Sequence, residues 1–170
     1  MAVVSPATLT MVKDFAPIIT FVLGFLTSRL FMTRKERADV SQKWFENSRS
    51  LMERQEETFQ KYIAAITSYV NCEKAGEVDH FISIATTGET YFYQLRIASD
   101  AIMSGHVTPS ARDNTLVPKI REATEKTLPE HYDVLTSIAT KKAFRYDGAL
   151  ERRNYASLYS VVEKYGHLAH

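Results

Sequence analysis

Residues 15–32 read FAPIITFVLGFLTSRLFM, and a basic cluster, Arg34-Lys35-Glu36-Arg37, follows almost at once. As a helix rising about 1.5 Å per residue, this stretch covers roughly 27 Å, close to a bilayer's hydrocarbon core. Ten of its residues are Phe, Ile, Val or Leu. At about 0.3–0.6 kcal/mol each they favour insertion by roughly 3–6 kcal/mol. Arg29 opposes this, but it lies near the helix end, where a long side chain can reach the headgroups. Ile18, Ile19, Phe21, Val22, Leu23, Phe25 and Leu26 point in every direction around the helix. A half-buried helix of a soluble domain would keep one polar face. No charge falls between Phe15 and Ser28, so the charged face of an interfacial helix is missing. The positive charges follow the apolar run, whereas a cleaved leader has them in front. The stretch therefore predicts a transmembrane helix over 15–32.

Flanking charge sets its expected direction. Arg29, Arg34, Lys35 and Arg37 lie on the C-terminal side, against Lys13 on the other. The positive-inside rule puts the N-terminus outside and the body in the cytoplasm, making the segment an uncleaved signal anchor in the cell membrane. Within it Ala16, Thr20, Gly24 and Ser28 recur every four residues. Such a stripe of small side chains lets helix backbones approach closely, and it predicts packing against a second copy or another membrane helix.

Outward from the anchor, residues 33–75 contain no proline or glycine, so the helix is expected to continue. Phe45, Met52, Phe59 and Ile66 recur every seven residues, but Ser48, Arg49, Gln55 and Glu56 occupy the companion positions. A coiled coil needs both seam positions apolar. The pattern predicts a solvated stalk over 33–58 that docks into a core only from Phe59 onward.

A second helix is expected from about Val78 to Ser104, closed by Gly105, with Gly88 permitting a close crossing or a bend. Thr108-Pro109 signals a helix start. Pro118 and Pro129 predict breaks, giving a turn near 110–115 and helices over 118–127 and 129–143. A last helix is expected over 149–165, capped by Gly166. The chain reads as all-α, with a short extracytoplasmic N-terminus (1–14), a transmembrane helix (15–32), a stalk helix (33–58) and a cytoplasmic four- to five-helix bundle (59–170).

Charge and motifs narrow the function. Of 21 basic and 20 acidic residues, five and two respectively lie in the first 37 positions, so the remainder carries a net −2. That sign disfavours nucleic acid as a partner. The single cysteine, Cys72, excludes an internal disulfide framework. Glu77 and His80 have the Glu-x-x-His spacing of di-iron bundles, but no second pair accompanies them. No phosphate loop, nucleophile elbow or zinc signature occurs. Arg112, Asn114, Lys119 and Arg121 surround an expected helix start that could hold an anion. Lys141, Lys142, Arg145, Arg152 and Arg153 form a looser basic group. The tyrosines Tyr91, Tyr93, Tyr155, Tyr159 and Tyr165 are expected in the core with their hydroxyls at its rim.

No catalytic residue, cofactor or metal ligand is assigned. The function expected is a single-pass, membrane-anchored helical interaction or adaptor protein, not an enzyme. Its expected partners are the lipid bilayer, a protein at the cytoplasmic face, and further copies of itself. The alternative is a membrane effector or toxin acting through oligomerisation of the transmembrane helix, suggested by Arg29 and the small-residue stripe.

Overall fold

Phe92, Leu95, Ala98 and Ser99 have no exposed surface, and they belong to the helix around which the others pack. The computed structural model describes residues 6–72 and 77–168, with side chains over 33–72 and 77–167. Every regular element among them is helical: α1 (Pro6–Val70), α2 (Glu77–Met103), a run built of α3 (Pro109–Ala111), α4 (Val117–Glu122) and α5 (Leu128–Lys142), and α6 (Ala156–Tyr165). The all-α bundle expected from the sequence is the fold, with four helical rods. Two compact units divide at Lys43/Trp44. In the first, the described side chains, Thr33 to Lys43, are all exposed. The bundle belongs to the second.

Among the described residues no helix is long and apolar enough to cross a membrane. The stretch 15–32, on which the expected span rests, lies outside the residues whose side chains are described, and so do Ala16, Thr20, Gly24, Ser28 and Arg29.

The buried face of α1 is centred beside the seven-residue spine, whose Met52, Phe59 and Ile66 pack against the core at the edge of that face. Its buried residues are Ser48, Leu51, Gln55, Tyr62 and Ala65, whereas Phe45 is 63% exposed. Ser48 and Gln55, read as solvated companions, lie inside, and Ser48 finds polar partners there. The Ser48 hydroxyl donates to the Trp44 carbonyl (2.6 Å) and accepts from the Thr108 N–H (2.9 Å). Asn47 adds a bond to the His106 carbonyl. These contacts tie the loop after α2 to α1, and packing begins well before Phe59. Further along, Phe59 and Tyr62 meet Tyr91 and Phe92 of α2 through their rings, with centroids 5.2–6.2 Å apart.

The α2 boundaries follow their signals. Glu77 and Asp79 occupy its first turn, where carboxylates oppose the positive helix end. Gly105 takes φ 71°, and His106 N–H returns to the Ala101 carbonyl. Thr108 caps the next helix, its hydroxyl accepting from the Ala111 N–H.

The expected breaks at Pro118 and Pro129 do not occur. The run 109–142 is continuous, and each proline follows a π turn, Arg112–Leu116 and Ala123–Thr127. There Val117 N–H reaches the Arg112 carbonyl and Leu128 N–H the Ala123 carbonyl. A proline ring in a regular α-helix collides with the carbonyl four residues back and leaves it without a donor. Widening the preceding turn by one residue moves that carbonyl aside, so the helix survives. One buried face persists through both prolines: Leu116, Val117, Ile120, Ala123, Leu128, His131, Leu135 and Ala139.

The last helix starts later than expected. Residues 144–151 form an irregular connection whose aromatic side chains Phe144 and Tyr146 pack on Phe81 (5.3 and 5.7 Å). A 3-10 turn, Arg152–Tyr155, leads into α6, which buries Leu158 and Val161 against α2 and α4. Gly166 follows α6 in right-handed geometry (φ −58°), so it ends the helix without a left-handed cap.

The left-handed cap of α5 falls instead on Ala143, with φ 56° and ψ 34°. A Cβ disfavours this conformation by about 1–2 kcal/mol. Ala143→Gly should therefore stabilise the bundle by about 1 kcal/mol, read as a higher urea midpoint. An unchanged or lower midpoint would show that the alanine carries no strain.

Candidate functional site

Three elements converge on one imidazole. His131 stands two residues after Pro129 on α5, Tyr62 comes from α1, and Gly88 lies in mid-α2. The rings of Tyr62, Phe92 and Tyr132 meet His131 edge-on, with centroids 5.2–5.4 Å away. A Cβ on Gly88 would fall on the imidazole, overlapping Cε1 and lying 2.7 Å from Nδ1. The glycine is there because the ring occupies the space of its missing side chain.

Burial pushes the His131 pKa down to about 4, against a weak upward pull from Glu89. The ring is neutral at pH 7. Burial, assisted by the charge of Glu130, raises the Tyr62 hydroxyl to about 12. The 2.9 Å bond between Tyr62 Oη and His131 Nδ1 thus joins two neutral groups. If the phenol donates, the ring hydrogen sits on Nε2. His131 Nε2 is one of two buried side-chain polar atoms without a partner among the described residues; Gln55 Oε1 is the other. Native interiors carry few such atoms, and each marks a place where the packing leaves a polar demand unmet.

Beside this centre Glu89 receives two phenols. Tyr132 Oη donates to Oε1 at 2.6 Å, Tyr155 Oη reaches Oε2 at 2.9 Å, and the hydroxyls lie 2.8 Å apart. Burial first, then the carboxylate, raises Tyr132 to about 12. Tyr155 is raised too, by burial and then by its bonds to Tyr132 and Glu89. Both stay protonated donors, which links α2, α5 and the turn before α6.

Two cavities of about 290 Å³ flank Phe59 between α1 and the second π turn, sharing Phe59, Glu122 and Thr127 in their walls. Gln55 and Tyr91 line one; Tyr62, Ile63, His131 and Val134 line the other. π turns recur at functional sites because they re-aim side chains, and here Thr127 reaches both cavities. Ile63 and Val134 are 41% and 46% exposed, so the second cavity opens on an apolar rim. A third hollow of about 440 Å³ lies between Phe45 and Met52 of α1 and Thr108 and Ala111. Chemically these surfaces can recognise an apolar or hydrogen-bonding group.

The residues singled out from sequence are dispersed. Arg34, Lys35 and Arg37 are exposed in the first unit. The separate helix start around Asn114, where an anion could have been held, does not form, because the helix runs through it. Arg112 pairs with Asp113 (2.6 Å) and lies over the Tyr165 ring; Lys119 pairs with Glu56 (2.9 Å); Arg121 donates to the Gly166 carbonyl. In the other basic group, Lys142 joins Glu77, Arg153 joins Glu151, and Arg152 covers the Tyr159 ring at 4.2 Å. Among the described residues no three of His, Cys, Asp or Glu gather as a metal site. Cys72 is half-buried at the end of α1. Tyr91 and Tyr155 lie in the core as expected, Tyr159 and Tyr165 are half-buried, and Tyr93 is 55% exposed.

Sequence reasoning missed His131, Tyr62 and Gln55. The available signal was Gly88, a glycine inside a long apolar helix, which marked the close crossing without naming the side chain that fills it. Comparison with protein-family models, characterised proteins and solved structures finds no match to this chain.

Gly88→Ala should cost about 1–3 kcal/mol, the usual penalty of overpacking. In a His131→Ala background the same change should be neutral or stabilising; additive losses would show that the two do not compete for space. His131 also gives a pH dependence. The unfolded ring takes its proton near pH 6.5 and the folded one only near 4. Its contribution is complete above 6.5 and falls, by up to about 3 kcal/mol, as pH drops toward 4. His131→Leu should lower stability at pH 7 but flatten its decline between pH 6.5 and 5. A variant with the parent's slope would place the acid sensitivity elsewhere.

Proposed function

We propose that this chain is a single-pass, membrane-anchored helical interaction protein whose bundle works at the cytoplasmic face. The observation that carries the reading is the apolar stretch 15–32 with its basic flank at Arg29, Arg34, Lys35 and Arg37. The exposure of Arg34, Lys35 and Arg37 is compatible with contact to anionic headgroups. The bundle supports the recognition half of the reading. It offers cavities with apolar rims and unmet polar atoms, which is how a helical scaffold holds a partner without chemistry. The stripe Ala16, Thr20, Gly24 and Ser28 supplies a surface for self-association.

Alkaline extraction of membranes tests the anchor. The full chain should stay with the lipid, and a chain lacking residues 1–32 should be released. A C-terminal reporter active only in the cytoplasm should be active. Release of the full chain, or a silent cytoplasmic reporter with an active external one, would overturn the reading. Gly24→Leu should weaken self-association in the membrane severalfold. The effector alternative, motivated by Arg29, would instead be favoured if expression of the intact chain collapsed the membrane potential and Gly24→Leu restored it.

A further inference from the structure

The cavity beside Gln55 combines a buried amide, aromatic rings and charged groups in its walls. Gln55 is only 2% exposed, it lines the cavity, and its Oε1 has no partner. Tyr91 lines the same cavity, and burial holds its hydroxyl up at about 12. The unmet Gln55 atom is an acceptor. Phe59 and Tyr91 add two ring faces, their centroids 5.2 Å apart and their planes tilted by 49°. Glu56 and Glu122 bring two carboxylates and Lys119 one ammonium, which is bound to Glu56 at 2.9 Å. None of the ion pairs among the described residues includes Glu122, so these walls hold two carboxylates and one ammonium, with the Glu122 carboxylate outside the pair.

We propose that this cavity is a binding site for a small organic ammonium ion with a flat apolar body. An ammonium N–H supplies the hydrogen bond that Gln55 Oε1 lacks, and a bond to a charged donor is stronger than one between neutral groups. The Glu122 carboxylate balances the charge, and the rings of Phe59 and Tyr91 take the apolar body and attract the cation by their π faces. At about 290 Å³ the space is at the lower end of the roughly 300–1,000 Å³ of ligand sites, which limits the guest to a single ring with a short amine arm. An anion meets carboxylates and an acceptor there, and a neutral alcohol satisfies Gln55 but leaves Glu122 without a counter-charge. The site is built from the bundle alone and does not depend on the membrane reading.

Calorimetric titration of the full-length chain in detergent micelles, with a micelle-only blank, tests it using benzylammonium, benzyl alcohol and benzoate as probes. Benzylammonium should bind saturably with a Kd of about 1 mM or tighter. Benzyl alcohol should bind at least about tenfold more weakly, and benzoate should not bind. Glu122→Gln, at an exposed position that leaves the core intact, should weaken the ammonium about threefold and remove its salt dependence. Gln55→Met should weaken it about tenfold. If that variant fails to keep the parent's circular dichroism, the Glu122 variant and the three-probe comparison decide. Absence of saturable benzylammonium binding, equal binding of the alcohol, or an unchanged Kd in Glu122→Gln would each overturn the proposal.

Discussion

The seating of the His131 imidazole in the space left by Gly88 is the contact on which the bundle's arrangement depends. α2 and α5 can approach at that point only because α2 has no side chain there. The ring is then enclosed by Tyr62, Phe92 and Tyr132, which brings α1 onto the same crossing. A polar ring in such a place is costly when charged, so the fold keeps it neutral and gives Nδ1 a phenol. The bundle thereby acquires a specific register: sliding α5 by a turn would lose both the glycine gap and the hydrogen bond, and sliding α2 or α1 would lose the one it shares with α5.

The second constraint is the pair of prolines. Pro118 and Pro129 would divide 109–142 into separate helices, each needing its own caps. The π turns before them preserve one rod and one continuous buried face, with His131 placed just beyond the second. That turn also brings Thr127 into the walls of the two cavities beside Phe59. The feature that rescues the helix is also the one that shapes the surface between it and α1. Buried polar groups follow the same economy. Ser48 and the Tyr132–Tyr155–Glu89 group are satisfied and act as ties between elements. Gln55 Oε1 and His131 Nε2 remain without partners, and Gln55 lies where a guest can reach its neighbourhood.

Much of the fold was legible in local signals. The all-α class followed from helical spacing and sparse glycine. The Thr108 cap, Gly105 and the acidic first turn of α2 marked boundaries, because each acts within a few residues of where it stands. The failures share a cause. Pro118 and Pro129 were read by their local rule, and the remedy was a neighbouring turn whose only motive is to keep a distant face buried. Ser48 and Gln55 were read as solvated because polar residues usually are; the residues that enclose them, Thr108 and Tyr91, are far along the chain.

The sequence by itself determined the helical class, the charge asymmetry about Arg34–Arg37, and the apolar stretch 15–32, since these are properties of short windows and of composition. It also marked mid-α2 as a place for a close crossing or a bend, because glycine's lack of a side chain is visible anywhere. Only the tertiary structure decided what fills that crossing, which face of α1 is buried, and which basic groups are already paired. Those outcomes depend on side chains that meet from three helices, and a one-dimensional pattern carries no record of which distant residue supplies the partner.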